Sequence, residues 1–144
     1  MRNINGSVYR ARLDTLLMIP MDASDQEVQS LIEAGFTSDR VSLLFERGII
    51  SATVRDQIVP FRTLKRRLAQ GSRLTTLESD RLFRFVRIIA IAEEVFGDQQ
   101  KAKRWLSTSK SRFSGRSPFT MLCTLPGSRL VEETLLQAAE GFTF

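Results

Sequence analysis

The stretch from Thr75 to Gly97, TTLESDRLFRFVRIIAIAEEVFG, decides how this 144-residue chain folds. Thr75 and Glu78 have the spacing of a capping box, which predicts a long helix from Leu77 to Phe96 that Gly97 ends. A helix that is apolar over most of its circumference lies at the centre of its domain or is shared with a second chain. The apolar positions of this helix cover more than one narrow stripe: Leu82, Phe83, Phe85, Val86, Ile88, Ile89, Ile91, Val95 and Phe96.

Three arginines lie three residues apart on the remaining face of this helix. Glu78 and Asp80 balance part of their charge, and the pattern favours a solvated face. The three arginines are Arg81, Arg84 and Arg87.

Capping signals predict shorter helices on both sides of the long one, and no strand pattern competes with them, so the sequence predicts an all-α fold. Residues 1–23 form a weakly patterned lead that is either a short helix around residues 8–18 or mobile. We assign residues 24–73 to a helix-turn-helix region and residues 74–144 to a small helical domain. The remaining helices are predicted to start at Ser24, at Thr37 or Ser38, at Ser51, Phe61, Asp98, Ser117 and Ser128.

The segment PFRTLKRRLAQGSRL, from Pro60 to Leu74, is strongly basic and contains no acidic residue. Phe61, Leu64 and Leu68 form one apolar stripe, which is predicted to dock on the core. A helix, a short turn and a second helix with a basic outer face are typical of a helix-turn-helix motif, whose second helix enters the DNA major groove. A merely solvated basic helix is the alternative. The polar residues left on the outer face are Arg62, Thr63, Lys65, Arg66 and Arg67.

Composition limits the chemistry that the chain can perform. Lys and Arg number 21 against 16 Asp and Glu, which gives a net charge of +5 and a pI near 10.1 and makes an anionic partner plausible. Histidine is absent and Cys123 is the only cysteine, so an intramolecular disulfide and a Cys/His zinc site are excluded. Cys123 itself is predicted to be a small buried apolar residue.

No enzyme, catalytic residue, metal site or cofactor is predicted. Asp80, Glu93 and Glu94 could be proposed as an acid and a base, but carboxylates on helices of a basic protein are mostly surface charge. The sequence also shows no signal peptide and no membrane span, so we expect a cytoplasmic protein.

Three linked motifs resemble the antitoxins of the Xre/MbcA/ParS class, bacterial partners of RES-domain toxins. The resemblance is firm over about 80 residues from Pro60 onward and looser from Ser24. Ser109-Lys110 and Phe113-Ser114 depart from the Pro-Asn and Leu-Gly pairs that are common in the family. The motifs are RTLKRR with GSRLTTLESDRLFR (62–84), AEEVFGDQQKAKRWL (92–106) and SGRSPFTMLCTLPGSRLVEETLLQAAEG (114–141).

The resemblance implies two binding functions. The N-terminal helix-turn-helix region would bind the promoter of the protein's own operon, and the C-terminal domain would bind a NAD-depleting RES-domain toxin and cover its active site. The residues that match the recognition-helix segment, with Arg73 added as a phosphate contact, are Arg62, Thr63, Lys65, Arg66, Arg67 and Arg73.

The residues that match the toxin-binding domain have mainly structural roles in this interpretation. Trp105 is predicted to lie in the core, and Gly115 and Gly127 are predicted to serve turns. The predicted toxin contacts are instead exposed residues of the loop, the last helix and the chain end: Arg112, Arg116, Glu133, Glu140, Phe142 and Phe144.

A stand-alone helix-turn-helix regulator, whose C-terminal half only dimerises, is the alternative function. Both functions predict a homodimer, because two recognition helices one DNA turn apart read a palindrome. They differ in whether the chain has a protein partner.

Overall fold

The chain is mainly helical in the part that the structure describes. A computed structural model describes residues 7–141, and this range contains nine α-helices and one 3-10 turn, Ser111–Phe113, which confirms the all-α prediction. No helix in this range is long and apolar enough to span a bilayer. The helices are α1 Ser7–Leu17, α2 Asp25–Ala34, α3 Asp39–Glu46, α4 Ala52–Ile58, α5 Phe61–Gln70, α6 Thr76–Phe96, α7 Gln99–Ser107, α8 Pro118–Met121 and α9 Leu125–Ala139.

Helix α6 is the centre of the fold, as its apolar circumference predicts. The Thr75–Glu78 capping box is formed: the Thr75 N–H donates to Glu78 Oε1 at 2.9 Å, and the Glu78 N–H donates to Thr75 Oγ1 at 3.2 Å. Helices α1, α2, α4, α7 and α9 all pack against α6. Its inward-facing side chains, such as Leu82 and Phe85, are fully buried in one core that extends from α1 to α9.

The prediction of a solvated arginine face on α6 is wrong. Arg81 Nε donates to the carbonyl oxygen of Ile58 at 3.0 Å, and Arg84 Nη1 donates to that of Leu122 at 3.3 Å. Arg87 forms an ion pair with Glu132 of α9. The ends of α4 and α8 and the side of α9 cover this face, so each guanidinium group ties α6 to a different element.

Helix α1 supplies the partner of a buried carboxylate in α6. Of the two alternatives for the lead segment, the structure shows the helix, and its Tyr9 and Leu13 side chains are buried. Arg12 Nε lies 2.6 Å from Oε1 of Glu93, which is 7% exposed. Glu93 is therefore a buried structural charge rather than the surface charge that we expected.

Only part of the predicted apolar stripe of α5 is buried. Leu64 is buried, but Phe61 and Leu68 are 47% and 41% exposed. The prediction that all three dock on the core is wrong because α5 turns Leu64 and the half-buried Arg67 inward, which leaves Phe61 and Leu68 on its flank.

The last helix begins four residues before the predicted start. Thr124, not Ser128, is the N-cap, and its Oγ1 accepts a hydrogen bond from the Gly127 N–H at 3.1 Å. Gly127 serves a close helix contact rather than a turn, because a Cβ there would lie 2.0 Å from the carbonyl oxygen of Met121. The connection before α9 turns Leu122 inward, so Cys123 is exposed and not buried as predicted.

Gly35, which ends α2, allows the segment after α2 to lie against the segment before α6. The Leu74 N–H donates to the Phe36 carbonyl oxygen at 2.9 Å. Gly35 has a φ of +90°, and a Cβ there would lie 2.3 Å from the carbonyl oxygen of Leu74. Both the backbone conformation and the close contact exclude a side chain at this position.

We expect Gly35→Ala to lower the free energy of unfolding by about 3 kcal/mol, because backbone strain and a backbone clash add. Gly97→Ala is the matched control: it also has a positive φ, +68°, but no atom lies within 4 Å of its Cβ position. The control should lose only about 1 kcal/mol. Urea unfolding followed by circular dichroism measures both, and equal losses would contradict the clash.

Candidate nucleic-acid and protein interfaces

Two short helices joined by a tight connection present the basic surface. Ser51 caps α4 by accepting a hydrogen bond from the Val54 N–H at 3.2 Å, and the Val59 N–H closes α4 on the carbonyl oxygen of Arg55 at 3.0 Å. Only Val59 and Pro60 separate α4 from α5. Val59 is fully buried, so the connection anchors both helices to the core.

The outer face of α5 carries cations that no carboxylate neutralises. Arg62, Lys65 and Arg66 are exposed, and Thr63 beside them is half-buried. Among residues 7–141, none of these three cations forms an ion pair. The face is therefore a concentrated positive charge that is open to an anionic partner.

Arg67 and Arg73, the other two arginines of the predicted DNA-binding set, make contacts inside the chain. Arg67 Nη2 lies 3.2 Å from Glu78 Oε2, and Arg67 Nη1 donates to the Arg73 carbonyl oxygen at 3.4 Å. Arg73 Nη1 donates to the carbonyl oxygen of Gly35 at 2.8 Å. The Arg67 ion pair fastens α5 to the start of α6, and the Arg73 hydrogen bond fastens the connection between α5 and α6 to the end of α2.

An arginine between two aromatic rings lies beside the basic face. The guanidinium carbon of Arg55 is 4.7 Å from the ring centroid of Phe45 and 4.2 Å from that of Phe61. Both rings are partly exposed. The sequence analysis missed this cluster because it placed Phe61 in the core. The available signal was that the first helical residue, Phe61, is surrounded in α5 by basic residues and by no acidic residue.

The loop between α7 and α8 is ordered by a short bridge. The Lys110 N–H donates to the Arg116 carbonyl oxygen at 3.0 Å, and Lys110 Nζ lies 5.2 Å from the ring centroid of Trp105. Burial lowers the pKa of Lys110. Trp105 is partly buried and packs against the core, and Gly115 has a φ of +83°, which confirms a turn.

The predicted toxin contacts of the loop differ in their environment. Arg112 Nη1 lies 3.2 Å from Gln137 Oε1 and 3.4 Å from Thr134 Oγ1, so this side chain joins the 3-10 turn to α9. The side chain of Arg116 is exposed.

The outer face of α9 is a mixed apolar and acidic surface. Glu133 and Glu140 are exposed, as a contact role requires. Three leucines on the same helix are also exposed, and sequence reasoning missed them because leucine in a helix normally indicates core: Leu125, Leu130 and Leu136. Phe142 and Phe144 lie outside the described residues.

Two of the carboxylates that could be proposed as an acid and a base, Asp80 and Glu93, form ion pairs within the chain. Asp80 pairs with Arg84 at 2.9 Å, and Glu93 pairs with Arg12. Within residues 7–141, no group of three or more acidic, Cys or His side chains is placed to hold a metal ion.

Comparison with known proteins identifies the family. Residues 92–141 match the model of the antitoxin Xre/MbcA/ParS C-terminal toxin-binding domain. The chain is 54% identical over 134 residues to an antitoxin Xre of Pseudomonas putida strain KT2440, which covers 93% of this chain and 84% of that protein. It is 37% identical over 100 residues to an antitoxin Xre of Yersinia enterocolitica, which covers 67% of this chain and 68% of that one. With its all-helical fold and its C-terminal toxin-binding domain, the chain belongs to the Xre antitoxin family.

Proposed function

We propose that this protein binds a cognate RES-domain toxin, covers its active site and so prevents the depletion of NAD. The match of residues 92–141 to a toxin-binding domain is the observation that carries the proposal. Because the proposed toxin, NAD and promoter DNA are all found in the cytoplasm, we also propose that the protein acts there. The mechanism is steric occlusion, for which this chain needs no catalytic group, metal ion or cofactor.

The proposed toxin-binding surface is the outer face of α9 with the neighbouring loop. Leu130 and Leu136 supply apolar area, Glu133 lies between them on the helix surface, and Glu140 and Arg116 supply further charges. Exposed leucines beside charged side chains supply both the apolar area and the polar contacts that protein–protein interfaces combine. Phe142 and Phe144 follow α9 in the sequence, and we propose that they take part in the same contact.

Co-expression with the open reading frame beside it in the native operon tests this function. We expect a stable complex and a normal cellular NAD level, with NAD falling when this chain is omitted. The absence of a complex together with unchanged NAD would contradict the proposal and favour the stand-alone regulator.

The variant Leu136→Arg should weaken the complex by about tenfold or more, because a cation placed against an apolar partner surface loses its hydration. Leu77→Arg is the control, since Leu77 is 75% exposed and lies outside residues 92–141. Deleting residues 142–144 should also weaken toxin binding and spare DNA binding. Calorimetric titration gives the affinities, and equal effects of the two arginine variants would remove α9 from the interface.

We further propose that α5 enters the major groove of the promoter and that a homodimer presents two copies of it. The exposed Arg62, Lys65 and Arg66 and the half-buried Thr63 would contact phosphates and base edges, as these residue types do in DNA complexes. Arg67 and Arg73 would hold α5 in position through their contacts with Glu78 and Gly35.

The variant Arg66→Ala should weaken binding to the promoter and reduce the salt dependence of log K by about one unit for the lost phosphate contact. Arg104→Ala, an exposed arginine of α7, is the control and should leave the slope unchanged. Arg67→Ala should chiefly lower stability, because it leaves Glu78 without its cation. Fluorescence anisotropy across a salt series checks this, and an unaltered slope in Arg66→Ala would mean that the face is only solvated.

A further inference from the structure

Phe61 is an aromatic residue with nearly half of its surface exposed. It is the first residue of α5 and is 47% exposed. Its neighbours on the outer face, Arg62 and Lys65, are exposed cations. An apolar ring among cations is complementary to a partner that carries negative charges and exposes a small apolar group between them.

The ring is held at the surface by cations from two helices. The Arg55 guanidinium carbon lies 4.2 Å from the ring centroid, and Lys65 Nζ lies 5.7 Å from it. Arg55 is itself fixed, because only 11% of its side chain is exposed and its Nε lies 3.3 Å from Asp56 Oδ1. Cation–π contacts of this kind are attractive, so they favour the position that the Phe61 ring takes in the structure.

The DNA major groove exposes such an apolar group among its base edges. Thymine presents its C5-methyl group there, and apolar side chains contact that group. Residues in the N-terminal part of a recognition helix are the ones that reach base edges. We propose that Phe61 contacts the C5-methyl group of one operator thymine and thereby determines sequence preference.

This inference rests on the proposed binding of α5 to promoter DNA. The probe is a synthetic duplex that covers the protein's footprint upstream of its own reading frame, with each thymine replaced in turn by deoxyuridine. Deoxyuridine lacks only the methyl group, so the base pair and the phosphates stay the same. The full-length protein should lose about fourfold in affinity at one thymine of each half-site, the effect of exposing one buried methyl group.

Two variants assign the methyl contact to Phe61. Phe61→Ala should bind the thymine and deoxyuridine duplexes equally. Phe61→Gln should also lose the discrimination and should gain affinity when adenine stands at that position, because a glutamine amide pairs with the adenine edge. Phe45→Ala is the matched control: it removes the other ring that contacts Arg55, lies on α3, and should keep the fourfold effect.

The outcomes separate this inference from the function on which it rests. Failure of the wild-type protein to bind any upstream duplex would refute the DNA-binding proposal itself. Binding without a deoxyuridine effect would leave DNA binding intact and overturn the role of Phe61. A deoxyuridine effect that persists in folded Phe61→Gln would also overturn it, even if Phe61→Ala were to unfold. If the deoxyuridine effect persists in Phe61→Gln and the oligomeric state of this variant changes, the Phe61 ring would be assigned to a contact between protein chains instead.

Discussion

The burial of α6 with its polar groups satisfied is the constraint on which the rest of this structure depends. An unpaired buried charge costs several kcal/mol, so each polar side chain within the helix requires a particular neighbour. Arg67 of α5 pairs with Glu78 in its first turn, and Arg12 of α1 pairs with Glu93 in its last. Between them, the buried Ser79 accepts a hydrogen bond from the Phe36 N–H at 3.0 Å. These contacts hold α1, α5 and the segment after α2 against α6, while apolar burial supplies the driving force.

The sequence predicts the helices well because caps and apolar periodicity are local signals. Both capping boxes form, and Ser51, Asp98 and Ser117 each cap the helix that follows. The errors arise where tertiary contacts decide. The row of arginines on α6 looks solvated in the sequence, because the carbonyl and carboxylate groups that accept their hydrogen bonds lie far away in the chain. The start of α9 was misplaced because Pro126-Gly127 resembles a turn, whereas Gly127 is needed for contact with α8.

The candidate sites show the same division. Residue type identifies α5 as basic, but it cannot show that Arg67 and Arg73 are bonded within the chain while Arg62 and Arg66 are free of ion pairs in the described residues. That distinction depends on Glu78 and on the Gly35 carbonyl group. Leu130 and Leu136 resemble core residues in the sequence, and only the packing of α9 on α6 shows that they face outward. The proposed surfaces therefore needed the structure.

The length of α6 also sets the distance between its two ends. Its 21 residues make an element about 30 Å long. Helix α5 is fastened to the first turn, and the matched toxin-binding domain begins in the last turn, at Ala92. Helix α6 therefore holds α5 and the start of the matched domain about one helix length apart. A surface on α5 and a surface on the matched domain are separate places on this chain, and α6 is the element that spans the distance between them.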